Sequence, residues 1–273
     1  MRPWSAAVVA AGFVLASAPP GVVGEELPTI VERSIQHHGG TLYERSLVEM
    51  KLCSGSGCYD LAVWRYDGLY RHRVAGPVSS GRREVEVTND RVELVVDGGA
   101  VEVTDPEEAQ RLRDWATARI YFAFLPYRLA DPSVRYRDRG ETRWGERRLH
   151  EVKVTFRAGS SSDAEDEYLF WFDPETARLE QFAYSYQGSP GGLRFRRLTN
   201  YRRVGGILFF DQRNLGVEGD GLDIELLTPE FVERRLRPVS TVELKQIEVR
   251  PLAEDGSDGV PDRHRAEPLT PTR

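Results

Sequence analysis

The sequence has few of the residues that usually carry chemistry: two cysteines, two methionines and five histidines among 273 residues. It contains no G-x-S-x-G nucleophile motif, no H-E-x-x-H zinc motif, no phosphate-binding loop and no G-x-G-x-x-G motif after a predicted strand. The formal net charge of −6 disfavours nucleic acid and anionic membrane surfaces as main partners. The sequence therefore predicts a protein with no catalytic residue, no cofactor and no metal site.

The histidines have simple structural interpretations. His37 and His38 stand at the end of a predicted helix, where cations interact favourably with the last carbonyl groups. His72 and His150 lie in strand-like segments and are predicted to be half-exposed, and His264 lies near the carboxyl end. None of them has neighbours spaced as a zinc site requires.

Runs of like charge are predicted to lie on the surface. The acidic segments 163–167, 218–223 and 255–258 do not match the spacing of a calcium-binding EF-hand, which favours solvated loops. The basic segments 194–197 and 234–237 alternate with apolar residues, as expected on an outward strand face or a sheet rim.

Residues 1–24 are typical of a secretory signal peptide. Arg2 gives a positive start, residues 6–18 form a short apolar run, and small residues lead to a predicted cleavage after Gly24. The apolar run is too short to span a bilayer, and no cysteine near the cleavage site provides a lipid anchor. We expect a periplasmic or secreted protein without a transmembrane segment in its mature chain.

The two cysteines fit an exported chain. Cys53 and Cys58 enclose a Ser-Gly-Ser-Gly turn between two strand-like segments. Cysteines that face each other across a tight hairpin have about the Cα separation that a disulfide requires. The pattern predicts a structural disulfide between them.

The remaining chain alternates short apolar segments with turn residues. After a predicted helix at 27–38, the strand-like segments are 47–53, 59–66, 69–74, 83–88, 92–96, 101–103, 134–139, 142–144, 149–156, 168–172, 179–186, 193–204, 207–214 and 239–249. This order predicts a mainly β (α+β) fold: a strongly curved antiparallel sheet forming an open or half β-barrel, with a helical plug over the concave face. We expect one domain over 25–250 and a disordered tail over 251–273.

The plug is predicted from residues 105–129. Asp105 can cap a helix within a D-x-x-E arrangement, and Pro106 suits the first helical position. Residues at helical spacing then form an apolar stripe, and 120–125 is apolar on every side until Pro126. An end that is apolar all round must enter an interior.

Two interpretations of this apolar end remain open: an ordinary core, or the wall of a cavity for an apolar ligand. The candidate cavity residues combine the helix end with aromatic residues of the later strands. They are Phe122, Phe124, Leu125, Tyr127, Trp171, Tyr184 and Phe195.

The pattern as a whole resembles the outer-membrane lipoprotein carrier and sorting proteins LolA and LolB and their exported relatives, over about residues 25–249. The matching pieces are the helix that ends in His38-Gly39-Gly40, the apolar segment 121–129 and the hairpin 168–179. The resemblance implies an open β-barrel whose hydrophobic concave face binds acyl chains beneath a helical lid.

We therefore expect an exported, non-enzymatic protein that holds a lipid acyl chain or a lipidated partner, in lipoprotein or lipid handling in the cell envelope. An envelope interaction or sensor module that docks another protein is the alternative. A hydrolase that uses acidic loop residues is a further alternative.

Overall fold

The strands of the chain form one antiparallel sheet. In the computed structural model these strands are β1 Ser46–Ser54, β2 Gly57–Tyr66, β3 Leu69–Val78, β4 Gly81–Thr88, β5 Val92–Val96, β6 Gly99–Val101, β7 Val134–Trp144, β8 Arg147–Phe156, β9 Tyr168–Phe172, β10 Leu179–Tyr186, β11 Gly192–Val204, β12 Ile207–Val217 and β13 Leu236–Pro251. The residues described are 26–55, 57–79, 81–157, 166–186, 192–219 and 222–252. The predictions for the signal peptide, for residues 163–165 and 255–258 of the acidic segments, and for the tail over 253–273 lie outside these ranges. The tail was predicted to begin at 251, but Pro251 is still part of β13.

The sheet has 13 strands in the order β6-β5-β4-β3-β2-β1-β13-β12-β11-β10-β9-β8-β7. Strands β1 to β6 follow one another from the middle of the sheet to one edge, and β7 to β12 follow one another from the opposite edge back to the middle. Strand β13 lies between β1 and β12 and joins the two halves. The sheet is curved and does not close, because β6 and β7 are not paired with each other. The predicted open β-barrel class is confirmed.

Two helices cover the inner face of this sheet. Helix α1, Thr29–His38, ends at Gly39, whose φ of 142° few other residues adopt. Helix α2, Pro106–Ala123, is capped as predicted: the Asp105 side chain accepts a hydrogen bond from the Glu107 amide, and Pro106 occupies the first turn. A short helix α3, Pro229–Glu233, was not predicted and lies over the outer face.

The alternation of side chains along β9 separates the two faces. Tyr168, Phe170 and Phe172 point to the inner face, and Leu169 and Trp171 point to the outer face. Every residue of this strand is buried, so both faces are covered.

The buried side chains form three groups. The amino-half core lies between α2 and strands β1 to β5; the carboxy-half core lies between α1, the end of α2 and strands β8 to β10. The outer core lies on the opposite face and includes Trp144, Trp171, Phe195 and residues of the 222–236 segment.

The structure departs from the predicted strands in one notable place. The segments 134–139 and 142–144 are one strand, β7, with a bulge between Asp138 and Gly140. Gly140 adopts a φ of 73°, which only glycine reaches without strain. This glycine, which lies between the two predicted segments, lets the strand continue through the bulge.

Candidate functional site

The end of α2 lies where the two inner cores meet. Leu112, Ala116 and Ile120 pack into the amino-half core at helical spacing. One residue later the direction changes, and Tyr121 and Phe122 pack into the carboxy-half core. The predicted apolar end therefore joins both halves of the sheet.

Phe122 is the centre of an aromatic group. Its ring stacks over the rings of Phe182 and Tyr184, each with a centroid distance of 5.4 Å. The guanidinium of Arg196 lies 5.5 Å from the Phe122 ring and donates a hydrogen bond to the Tyr184 hydroxyl at 3.1 Å. Phe122 is 9% exposed, so the site is filled in this conformation. Arg196 is buried, which corrects the expectation that the whole basic segment 194–197 faces outward.

The other candidate residues near the helix end are divided between the two inner cores. Leu125 belongs to the carboxy-half core, and Phe124 belongs to the amino-half core, 5.8 Å from the ring of Tyr43. Tyr127 is half-buried against both cores, stacks on Tyr43 at 4.8 Å, and donates a hydrogen bond to Glu44.

Trp171 and Phe195 are not brought together with the others. Both belong to the outer core, where their rings lie 5.7 Å apart and each contacts Trp144. The sheet itself separates them from Phe122, so they cannot contact a ligand that binds beneath α2. Because every residue of β9 is apolar, its sequence does not reveal which of its side chains share a face.

Helix α2 is held to the sheet largely by apolar contacts. Hydrogen bonds also join them: Arg113 Nη1 donates to the Thr88 carbonyl and Gln212 Nε2 donates to the Phe122 carbonyl, both at 3.0 Å. Arg113 and Arg119 are also hydrogen-bonded to the hydroxyls of Tyr70 and Tyr59. The strands complete their own backbone bonding with one another. Movement of the helix end would therefore leave the strand pairing intact.

Two histidines are more buried than predicted. His38 accepts a hydrogen bond from the Leu179 amide at Nε2 and lies 3.3 Å from the Leu208 carbonyl through Nδ1. Burial lowers the pKa of His38 to about 3, so it is neutral and not the helix-terminal cation that was expected. His72 is 2% exposed, and burial lowers its pKa well below the usual range.

A polar cluster that was not predicted lies beside the α2 end. Arg128 is 2% exposed and forms an ion pair with buried Asp131 at 2.8 Å. Arg65 and His72 face the same interior from β2 and β3, and the two arginines contribute to lowering the pKa of His72. Burial also lowers the pKa of Arg128. The signal in the sequence was the position of Arg128 within the otherwise apolar segment 121–129.

A polar groove of about 950 Å³ occupies the outer face of the amino half. Its lining carries ion pairs: Asp60 lies between Lys51 and Arg82, and Arg73 pairs with Glu84 at 2.8 Å. The basic groups are therefore already paired, and the lining as a whole has five acidic and three basic side chains.

Within the described part of the chain, no group of three or more His, Cys, Asp or Glu side chains is arranged to hold a metal ion. In the same part, no helix is long and apolar enough to cross a membrane. The predicted disulfide is confirmed: Cys53 and Cys58 are bonded and face each other across the β1–β2 hairpin.

The fold and the covered inner face define a class of protein: an open antiparallel sheet with a helix lying in its curve. The chain belongs to a family of unknown function, DUF6503, whose sequence profile matches residues 83–243. The match begins in β4 and ends in β13, so it includes α2 and the whole carboxy half. No curated protein matches the sequence.

Several solved structures are similar to this chain at low identity. A LolA superfamily protein from Nitrosomonas europaea is 11% identical, with a TM-score of 0.46 over 83% of this chain and 94% of that one. A DUF1329 family protein from Desulfovibrio piger is 9% identical, with a TM-score of 0.43 over 80% and 91%. The lipoprotein LppX of Mycobacterium tuberculosis is 10% identical, with a TM-score of 0.28 over 57% and 86%. A LolA superfamily protein, of the kind that the sequence pattern resembles, is thus among these structures. The assignment of the fold itself rests on the strand order described above.

Proposed function

We propose that this protein is an exported, non-enzymatic binding protein that holds the acyl chain of a lipid or of a lipidated partner. The chain would lie between the end of α2 and the inner face of the carboxy half. The position of Phe122 carries the proposal: its ring covers Phe182 and Tyr184 from the end of a helix that packs on the sheet largely through apolar side chains.

In this proposal the helix end and the acyl chain occupy the same space in turn. The closed conformation fills the site with Tyr121, Phe122 and Leu125. When the helix end moves away, an acyl chain covers the exposed aromatic surface, at about 0.8 kcal/mol for each methylene buried. The net affinity is smaller, because the helix loses its own contacts first.

Lipid extraction and calorimetry test the proposal. Purified protein is extracted with organic solvent for mass spectrometry, and stripped protein is then titrated with dodecanol, whose neutral head isolates the contribution of the alkyl chain. We expect co-extracted lipid or saturable binding at one molecule per protein.

The proposal would be contradicted if the folded protein carried no lipid and did not bind dodecanol. Recovery of a single stoichiometric protein partner, without lipid, would instead favour the envelope interaction module.

A further inference from the structure

The polar cluster beside the α2 end contains donors that lack acceptors. Among the residues that the structure describes, Nε and Nη1 of Arg128 have no hydrogen-bond partner, and its Nη2 meets Asp131 without hydrogen-bond geometry. Arg65 Nη1 and the two ring nitrogens of His72, one of which carries the N–H of the neutral imidazole, are also buried without a partner among the described residues. A buried unpaired donor costs about 1–3 kcal/mol, and more when it is charged, so these groups favour a ligand that accepts hydrogen bonds.

The elements around the cluster direct these groups to one place. Arg65 and His72 lie on the inner face of neighbouring strands, because Arg65 pairs with Tyr70 and Val63 pairs with His72 in the β2–β3 register. Arg128 follows α2 and lies in the short helical turn 127–130. Its guanidinium is 5.8 Å from the Tyr121 ring.

The charges of the cluster do not balance. Asp131 offsets one of the two guanidinium groups, and neutral His72 adds no negative charge. Arg65 is only half-buried and stacks over Tyr127 at 5.4 Å, so the cluster extends towards the surface at the β2–β3 turn. An incoming anion would meet Arg65 first and Arg128 deeper inside.

The cluster also adjoins the proposed acyl site. Tyr121 contacts the Arg128 guanidinium on one side and the Phe122 ring, at 5.4 Å, on the other. A ligand with an anionic head and an apolar tail would match this spatial arrangement, in which the polar cluster lies next to the apolar site.

We propose that Arg128, Arg65 and His72 form an anion subsite for the carboxylate or phosphate head of the bound lipid. The planar forks of the two arginines suit either oxyanion. This inference rests on the proposed function, since the tail of the same ligand would lie beneath the end of α2.

A series of ligands with one chain length tests the subsite by calorimetry at pH 7.5: dodecanoate, dodecyl phosphate and dodecanol. Because charge-assisted hydrogen bonds contribute about 1.5–3 kcal/mol, we expect at least one of the two anions to bind about tenfold or more tightly than dodecanol. Arg128→Met should remove most of that preference. The control, Arg119→Met, changes a half-buried arginine of α2 that stacks on Trp115 and Tyr59, and this variant should keep the preference.

Each outcome decides the inference. Equal binding of all three ligands by the wild-type protein overturns the subsite and leaves the acyl site standing. If Arg128→Met does not fold, Arg65→Met replaces it, and an unchanged preference in the folded variant overturns the assignment. If no dodecyl ligand binds, the proposed function fails. In that case the wild-type protein and the arginine variant are titrated with inorganic phosphate. Binding by the wild type that the variant loses would show a site for free anions, and no binding by the wild type would show that there is no anion site.

Discussion

The two faces of the carboxy half of the sheet are both built from buried aromatic side chains, but they are held in different ways. On the outer face, Trp171 donates its indole hydrogen to Glu151 at 2.7 Å, and Arg139 pairs with the same carboxylate at 2.9 Å. On the inner face, Phe122 reaches the sheet from a helix held mainly by apolar contacts. Burial of aromatic residues therefore does not by itself identify a ligand site. The more useful criterion is whether the element that covers them, here the end of α2, can move away from the sheet.

Removal of one phenylalanine from each face should have the largest effect on stability. Phe122→Ala and Phe195→Ala each delete a buried ring, and each should lower the free energy of unfolding by about 3–5 kcal/mol. Chemical denaturation followed by fluorescence measures both values. A loss below about 1 kcal/mol in Phe122→Ala alone would show that this ring is not packed as core.

The polar support of the outer face provides the second prediction. Trp171→Phe keeps an aromatic side chain but replaces the indole with a smaller ring and removes the hydrogen bond to Glu151, a carboxylate whose pKa burial raises. We expect a loss of about 1.5–3 kcal/mol in unfolding experiments. Dodecanol affinity should stay at the wild-type value, and a change in it would mean that the two faces are coupled.

The third prediction concerns the pH dependence of the α1 anchor. The pKa of His38 is about 3 in the folded chain, against about 6.5 when unfolded, so the unfolded chain binds more protons below pH 6.5. The stability contributed by neutral His38 is complete above pH 6.5 and is lost as the pH falls towards 3. At pH 5.5 this loss is about 1.4 kcal/mol relative to neutral pH.

Comparison with a variant isolates this contribution. Between pH 7.5 and 5.5, the wild-type protein should lose about 1.4 kcal/mol more than His38→Gln. Parallel losses in the two proteins would contradict a neutral His38 in the folded state. His72, whose pKa burial also lowers, remains in both proteins and cancels from the difference.

The smallest effect is expected in the outer groove. Lys51 and Asp60 form an exposed ion pair there, so Lys51→Ala should change the free energy of unfolding by less than about 1 kcal/mol. High salt should reduce the difference further. A larger change in denaturation experiments would indicate that the groove contributes to the fold more than its exposure suggests.

Much of the fold could be predicted from local sequence signals. The Asp105 cap, the apolar end of α2 and the Cys53–Cys58 hairpin each follow from interactions between residues close in sequence. The place of β13 between β1 and β12 does not, because it depends on pairing between segments far apart in the chain.

The candidate site was only partly predictable for the same reason. The apolar run 120–125 identified Phe122 and Leu125 as candidates. The face of the sheet on which Trp171 and Phe195 lie depends on strand register and not on composition. The burial of Arg128 and His72 results from the packing of the turn 127–130 against β2 and β3, which no local pattern encodes.

The affinity of Phe122→Ala and Phe195→Ala for dodecanol tests the central claim most directly. If the Phe122 ring occupies the space of the acyl chain, its removal leaves an apolar cavity and weakens the closed state. We predict about fivefold tighter binding by Phe122→Ala, and binding within about twofold of wild type by Phe195→Ala. Equal affinities in all three proteins, or weaker binding by Phe122→Ala, would contradict the account.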